Sequence, residues 1–280
     1  MINLKNLIKK EKNKKIILIV LDGVGDLPVK DGKTPLELAQ TPNLDTLVKS
    51  SATGLHIPVD YGITPGSGPG HLGVFGYDPQ TITIGRGILE ALGVGLDVRS
   101  TDVAVRGNFA TVRYEENKPI VVDRRAGRIS TEENRRLIEY LSQHISEIDG
   151  VKIILRSGKE HRFSLILRFP YEVSSNAEKI NDTDPQAIEK APLIPEGLNE
   201  EAKRVAEIAQ KFIEKAAALL KEEERANYVL LRGFSVKPNL PTFFEKFSLK
   251  SLCIAVYPMY RGLAKLVGMD VLTFEGESIA

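Results

Sequence analysis

Asp22 and Ser67 are the two residues whose type and setting point to phosphate or metal chemistry. Asp22 closes the apolar run Ile16–Leu21, with Gly23 and Gly25 beside it. A carboxylate at the carboxyl end of a strand, uncrowded by its neighbours, suits a cation ligand, and it equally suits the cap of a turn. Ser67 stands in Pro65-Gly-Ser-Gly-Pro-Gly-His71, flanked by residues without bulk, and apolar residues resume at Leu72, Val74 and Phe75. That is the pattern of a loop feeding a helix, so the hydroxyl would face a positive helix end and free backbone N–H groups, a setting for a serine that carries a phosphate. A Walker loop is excluded because its Lys followed by Ser or Thr is missing. A hydrolase elbow needs a strand directly before the serine, and Thr64-Pro-Gly66 stands there instead. A glycine-rich turn without chemistry is the alternative.

Cations supply the second signal. Asp123-Arg-Arg-Ala-Gly-Arg128 places Arg124, Arg125 and Arg128 in a glycine-containing loop between a strand and a capped helix, and His161-Arg162 adds to them. Guanidinium groups match phosphate and carboxylate oxygens two at a time, so this loop favours a small anionic ligand over a solvated face. Arg86 in Gly85-Arg-Gly87 is a weaker candidate of the same kind. Arg232 follows a strand and Arg261 opens a helix, so both could point into the same crevice. His71 either orients its loop and contacts ligand or simply packs at the helix start.

These residues need elements to hold them. Ile16–Leu21 reads as a buried parallel strand. Thr34-Pro-Leu-Glu37 and Thr41-Pro42 each put a capping threonine before a proline, predicting two short helices. From Tyr77 to Arg225 the pattern is α+β, with strands over 103–114, 120–122, 151–155 and 161–169, a helix from Thr131 capped by Ser130, and a long helix over 199–224. Val205, Ile208, Phe212, Ala216 and Leu219 form its apolar stripe. From Tyr228 strand and helix alternate: strands at 228–231, 252–256 and 271–274, helices at 242–247 and 259–267, the pattern of a doubly wound α/β sheet. The expected division is 1–76 as the first part of a metal-binding core, 77–225 as an inserted ligand-binding lid, and 226–280 as the core resumed.

Composition bounds the function. The chain has 280 residues, 42% of them hydrophobic, and a net charge of +1, which provides no field for steering to nucleic acid or an acidic membrane surface. The single cysteine, Cys253, lies in an apolar run and reads as core. The lysines before Ile16 precede an apolar run too short for a signal peptide, and no segment is long enough to span a bilayer, so a cytoplasmic protein is expected.

Taken together, Leu21-Asp-Gly23, Gly62-Ile-Thr-Pro-Gly-Ser-Gly-Pro-Gly-His-Leu72, Phe75-Gly-Tyr-Asp-Pro79, Asp123-Arg-Arg-Ala-Gly-Arg128 and Leu231-Arg-Gly233 resemble the archaeal-type, cofactor-independent phosphoglycerate mutases of the alkaline phosphatase superfamily. The resemblance runs through the whole chain. It implies an alkaline-phosphatase-like doubly wound sheet with an inserted α+β lid, and interconversion of 3-phosphoglycerate and 2-phosphoglycerate without 2,3-bisphosphoglycerate. It also implies two divalent ions (Mn²⁺, Mg²⁺ or Zn²⁺), with Asp22 and Ser67 as metal ligands and Ser67 as nucleophile. The substrate-binding set would be His71, Arg86, Asp123, Arg124, Arg125, Arg128, His161, Arg162, Arg232 and Arg261. Family members continue past the position of Phe274 into a segment with further Asp and His ligands. The four histidines here are His56, His71, His144 and His161, none beside an aspartate. The sequence is therefore expected to stop short of most of the metal apparatus, and to self-associate into a homo-oligomer through an unfinished sheet. A remnant that binds phosphorylated acids, or a relative acting on another phosphomonoester, are the competing expectations.

Overall fold

The structure is a computed structural model that describes residues 14–28, 31–82 and 84–272. The chain divides into two compact units, Met1–Ile57 and Pro58–Ala280.

In the first unit, helices α1 (Pro35–Leu38) and α2 (Pro42–Val48) form where the Thr-Pro pairs place them. Thr34 and Glu37 make the full reciprocal capping box. Thr41 departs from expectation, since its hydroxyl donates to Asp45 Oδ1 at 2.9 Å and caps no backbone N–H. The strand expected at Ile16–Leu21 is not formed. The segment has no regular structure, and its side chains are 44–82% exposed. β-Branched residues favour a strand only where a neighbour completes the ladder, and among the described residues none pairs with this run.

The second unit opens with α3 (Ser67–Val74) and α4 (Arg86–Gly93). Strands β1 (Asp102–Glu115) and β2 (Lys118–Asp123) follow, then α5 (Thr131–His144), β3 (Glu147–Ile148), β4 (Val151–Ser157) and β5 (Arg162–Arg168). The chain continues through α6 (Glu200–Leu220), β6 (Tyr228–Val236), α7 (Phe243–Phe247), β7 (Leu252–Cys253), α8 (Pro258–Leu266) and β8 (Asp270–Val271). Strands β1–β6 make one sheet in the order β2-β1-β5-β4-β3, with β6 also paired to β1, and every pairing is antiparallel. Two connections are two-residue hairpins with both residues at positive φ, Glu116-Asn117 (48° and 65°) and Asp149-Gly150 (48° and 80°). Such turns match strand twist and commit their strands to antiparallel pairing.

The doubly wound parallel sheet is therefore not assembled among the described residues, where the parallel pairing is the two-residue contact of β7 with β8. What is present is a mixed α/β fold with a central sheet. The strand foreseen at 228–231 exists and extends to Val236, but it lies against β1 in the sheet of the preceding segment and does not reopen a separate core. Among the described strands it pairs with β1 alone, yet its Val229, Leu230 and Leu231 are fully buried, with the segment at Thr183 bonded along its outer side. Cys253 is half-buried rather than core, and burial pushes its thiol pKa up. Thr273 and Phe274 lie outside the described residues.

The two faces of the sheet differ. Val103, Val105 and Phe109 of β1 pack with Leu137 and Leu141 of α5 and with the stripe of α6, where Val205, Ile208, Phe212 and Ala216 are buried. Each large side chain there is worth about 1.5–3 kcal/mol in burial. The opposite face carries Ala104 and Ile166 against α4 and α8. Helix α4 sits very close to the sheet: a Cβ on Gly87 would lie 2.2 Å from Ala104 O and 2.7 Å from Gly233 O. Gly233, at φ 62°, supplies the other half of that approach. Gly87→Ala is expected to destabilise the unit by about 1–3 kcal/mol through overpacking. Urea unfolding would register this as a lower midpoint at an unchanged slope.

Candidate anion-binding site

The loop after β2 is built around Asp123. Its two carboxylate oxygens accept from the N–H groups of Arg125 and Gly127, each at 2.8 Å. Those bonds hold Ala126, Gly127 and Arg128 in consecutive left-handed conformations, at φ 48°, 61° and 53°. For residues with a Cβ that region costs roughly 1–2 kcal/mol each, and such strain persists only where surrounding bonds enforce it. Asp123 thus shapes the turn that presents Arg125 and Arg128.

Facing this turn is the start of β5. Asn134 of α5 donates from Nδ2 to Glu160 O at 2.5 Å and to Arg162 O at 2.7 Å, and Phe109 N–H donates to His161 O at 2.8 Å. The backbone at 160–162 is thereby fixed. Arg125, Arg128, Lys159, Glu160, His161, Arg162 and Tyr257 line a cavity of ≈ 280 Å³. His161 Nδ1 and Arg162 Nε are buried without a hydrogen-bond partner. His161 is 4% exposed, and burial, with the Arg162 charge next in weight, pulls its pKa down to about 4. Glu160 opposes that shift, and Arg125 and Arg106 reinforce it. The ring is therefore neutral near pH 7. A second cavity, of ≈ 320 Å³, is lined by Glu133, Glu223 and Glu224 among others and does not suit the same ligands.

Arg124 points elsewhere. Its Nε and Nη2 donate to the two oxygens of Asp184 at 2.6 and 2.8 Å, and Arg232 Nη1 reaches the same carboxylate at 3.2 Å. Arg232 Nε also donates to Asp182 Oδ2 at 3.3 Å. Between these carboxylates Thr183 is stitched to β6: its N–H donates to Leu231 O and its Oγ1 accepts from Leu231 N–H, both at 2.8 Å. Burial alone would raise the Asp184 pKa. Hydrogen bonds from Arg124 and the Gln186 N–H, with the charges of Arg124 and Arg232, hold it below the usual range.

Ser67 is the first residue of α3, after Gly66 as N-cap. At that end the N–H groups of Ser67 and Gly68 have no intrahelical acceptor, and Pro69 has no N–H to satisfy. His71, one turn on, stacks on Tyr260 at 4.3 Å, and Tyr260 meets Tyr257 edge-on at 5.4 Å. An aromatic run thus leads from the serine helix to the cavity rim. Arg86 is exposed as the first residue of α4. Arg261, in α8, has a buried Nε without a hydrogen-bond partner. Asp22 lies in the first unit, in the turn it forms with Gly23. Among the described residues no three His, Cys, Asp or Glu side chains gather as a metal-ligand group.

Sequence inspection missed Arg106, Asp182, Thr183 and Asp184. Arg106 was readable as the one charge in the largely apolar Val103–Phe109. The acidic pair in Asn181-Asp-Thr-Asp-Pro185 was readable as the counter-charge that an arginine cluster needs.

Fold and site define an α/β protein with a cavity lined by three arginines. A family model for 2,3-bisphosphoglycerate-independent phosphoglycerate mutase matches residues 49–226, and the chain belongs to that family. A relative from Aquifex aeolicus, named a probable 2,3-bisphosphoglycerate-independent phosphoglycerate mutase, is 64% identical over 96% of this chain and 66% of its own length. One of the same name from Thermus thermophilus is 50% identical over 99% of this chain and 66% of its own. The chain thus spans just under two thirds of those curated relatives. The solved cofactor-independent phosphoglycerate mutase of Thermoplasma acidophilum superposes with a TM-score of 0.67 at 34% identity, covering 92% of this chain and 70% of that one. A Pyrococcus horikoshii protein gives 0.71 at 32% identity, covering 91% and 60%.

Two outcomes test the site's construction. Asp184→Asn leaves two guanidiniums short of a buried counter-charge and should cost roughly 3–5 kcal/mol in thermal unfolding. The depressed His161 pKa means that the unfolded chain binds the extra proton first as pH falls. Its stabilising contribution is therefore complete above about pH 6.5 and is lost progressively towards pH 4, on the order of 2–3 kcal/mol. Melting curves across that range should show a slope that His161→Gln flattens.

Proposed function

We propose that this chain carries the nucleophile and the anion-binding cavity of a 2,3-bisphosphoglycerate-independent phosphoglycerate mutase acting in the cytoplasm on 3-phosphoglycerate and 2-phosphoglycerate. The observation that supports this most is the shared unit of Ser67 and the arginine cavity, linked through His71, Tyr260 and Tyr257. In this reading the sheet with its arginine loop is an inserted lid, and the segments around it belong to an alkaline-phosphatase-like core that includes Asp22.

The chemistry follows from the residues. Arg125, Arg128 and Arg162 take the phosphate and carboxylate of the substrate, fixing its orientation. Ser67 Oγ attacks phosphorus; its bond to phosphorus forms as the bond to the substrate's O3 breaks, and the serine proton ends on that oxygen. The product pair is phosphoserine and glycerate. Glycerate, held by its carboxylate, turns so that O2 attacks the phosphoserine, which restores the serine hydroxyl and releases 2-phosphoglycerate. The N–H groups at the start of α3 offset charge on the transferring group. Neutral His161 offers the glycerate a hydrogen-bonding ring without adding charge. Closure of the cavity keeps water from the phosphoserine. The described residues do not form a cage for two divalent ions; Asp22 is proposed as one ligand.

The test uses this chain with 3-phosphoglycerate, supplied Mn²⁺, Mg²⁺ or Zn²⁺, and no bisphosphoglycerate. Binding of 3-phosphoglycerate is expected, with formation of 2-phosphoglycerate strongly impaired, and whatever turnover and Ser67 phosphorylation occur should fall roughly 10³-fold or more in Ser67→Ala. Turnover that survives Ser67→Ala would remove the nucleophile assignment. Binding of 3-phosphoglycerate without turnover would leave a binder of phosphorylated acids.

A further inference from the structure

We propose that Arg106 is an anion-contacting residue of this site, a guanidinium built into the central strand without a carboxylate bonded to it, so that the ligand's phosphate or carboxylate supplies one. The proposal rests on the reading that the cavity takes a phosphorylated acid. Arg106 lies in the middle of β1 between buried Val105 and Gly107, opposite Arg232 on β6 and Ser164 on β5. Like charges facing each other across strands repel, and a fold accepts that only where something offsets it.

The same sheet shows how it treats other arginines. Arg168 on β5 is paired in register with Asp102 and donates to both its oxygens at 2.8 Å. Arg232 has Asp182 and Asp184. Arg106 has no such carboxylate among its described ion pairs, and its buried Nε has no hydrogen-bond partner. Around it the deficit continues: Ser164 Oγ, Asn108 Oδ1 and Arg162 Nε are also buried and unpartnered, and Arg162 is the register partner of Asn108. These positions form one contiguous polar patch on the sheet face that bears Ala104 and Ile166 further along. Buried polar atoms in native folds are satisfied as a rule, and a cluster of exceptions marks a place where a partner is missing.

The sign of that partner is set by the field. Burial disfavours the Arg106 cation; Glu90 partly offsets this, and Arg162, Arg232 and Arg86 disfavour it further. Only an anion relieves all of these at once. Arg162 belongs to both regions: it lines the arginine cavity and is the register partner of Asn108, two residues along β1 from Arg106, so the patch borders the cavity. Arg106 itself keeps partial exposure.

Ligand-free stability and affinity should therefore move in opposite directions. Arg106→Met removes an uncompensated cation while keeping a long apolar stem, so its melting temperature without ligand should equal or exceed that of the unsubstituted chain. Its dissociation constant for inorganic phosphate and for 3-phosphoglycerate should rise at least tenfold, and the rise in melting temperature on adding either should disappear. A lower melting temperature with unchanged dissociation constants would make Arg106 a structural residue and overturn the proposal. Arg106→Lys covers the case in which the methionine variant does not fold: it keeps the charge but loses the planar fork, and phosphate should bind it several-fold more weakly. Undiminished affinity in that variant also overturns the proposal. An unsubstituted chain that binds neither phosphate nor 3-phosphoglycerate would refute the cavity reading itself, a result distinct from failure of Arg106 alone.

Discussion

A carboxylate withdrawn from water needs positive charge and hydrogen bonds to replace its hydration, and Asp184 obtains both from two distant parts of the chain. Arg124 comes from the loop after β2 and Arg232 from the middle of β6. One buried group therefore ties the arginine loop to the central sheet, while Thr183 beside it is laced to Leu231. The consequence for the site is a division of roles. Arg124 and Arg232 spend their donors on protein, and Asp123 spends its acceptors on its own turn. That leaves Arg125 and Arg128 projecting from a loop that is anchored at both its neighbours. Preorganisation of this kind lets a ligand be bound without first ordering the loop.

The sheet sets the remaining geometry through the contrast between its faces. One is apolar from end to end and is covered by α5 and α6. The other is apolar only where α4 and α8 lie on it, around Ala104 and Ile166, and becomes polar towards Arg106, Ser164 and Arg162. Helix α4 approaches closely enough to reach that face because Gly85, Gly87 and Gly233 have no side chains. The Gly85-Arg-Gly87 string thus has a packing explanation that also places Arg86 beside the polar patch.

Local rules read from the sequence held well. The capping box at Thr34, the Ser130 cap of α5 and the buried stripe of α6 depend on neighbours a few residues away, and spacing alone specifies them. The arginine loop was visible for the same reason. What depended on distant partners was not. Asp184 meets Arg124 across 60 residues, and nothing in either segment names the other. Ile16–Leu21 has a strand's composition, but pairing decides strands, and composition carries no information about the pairing partner. Likewise Tyr228–Val236 has the apolar content of any buried strand, and its assignment to the central sheet follows from contacts with β1 that the sequence does not encode locally.

The aromatic run from His71 through Tyr260 to Tyr257 has an optical consequence. The chain contains no tryptophan and eight tyrosines, so its ultraviolet emission is dominated by tyrosine. Tyr257 borders the arginine cavity, and its ring meets Tyr260, which is stacked on the imidazole of the serine helix. A charged molecule settling against Arg125 and Arg128 alters the surroundings of one emitter and, through ring contact, of a second. Occupancy of the cavity is therefore written into the native fluorescence of the protein, with no label attached.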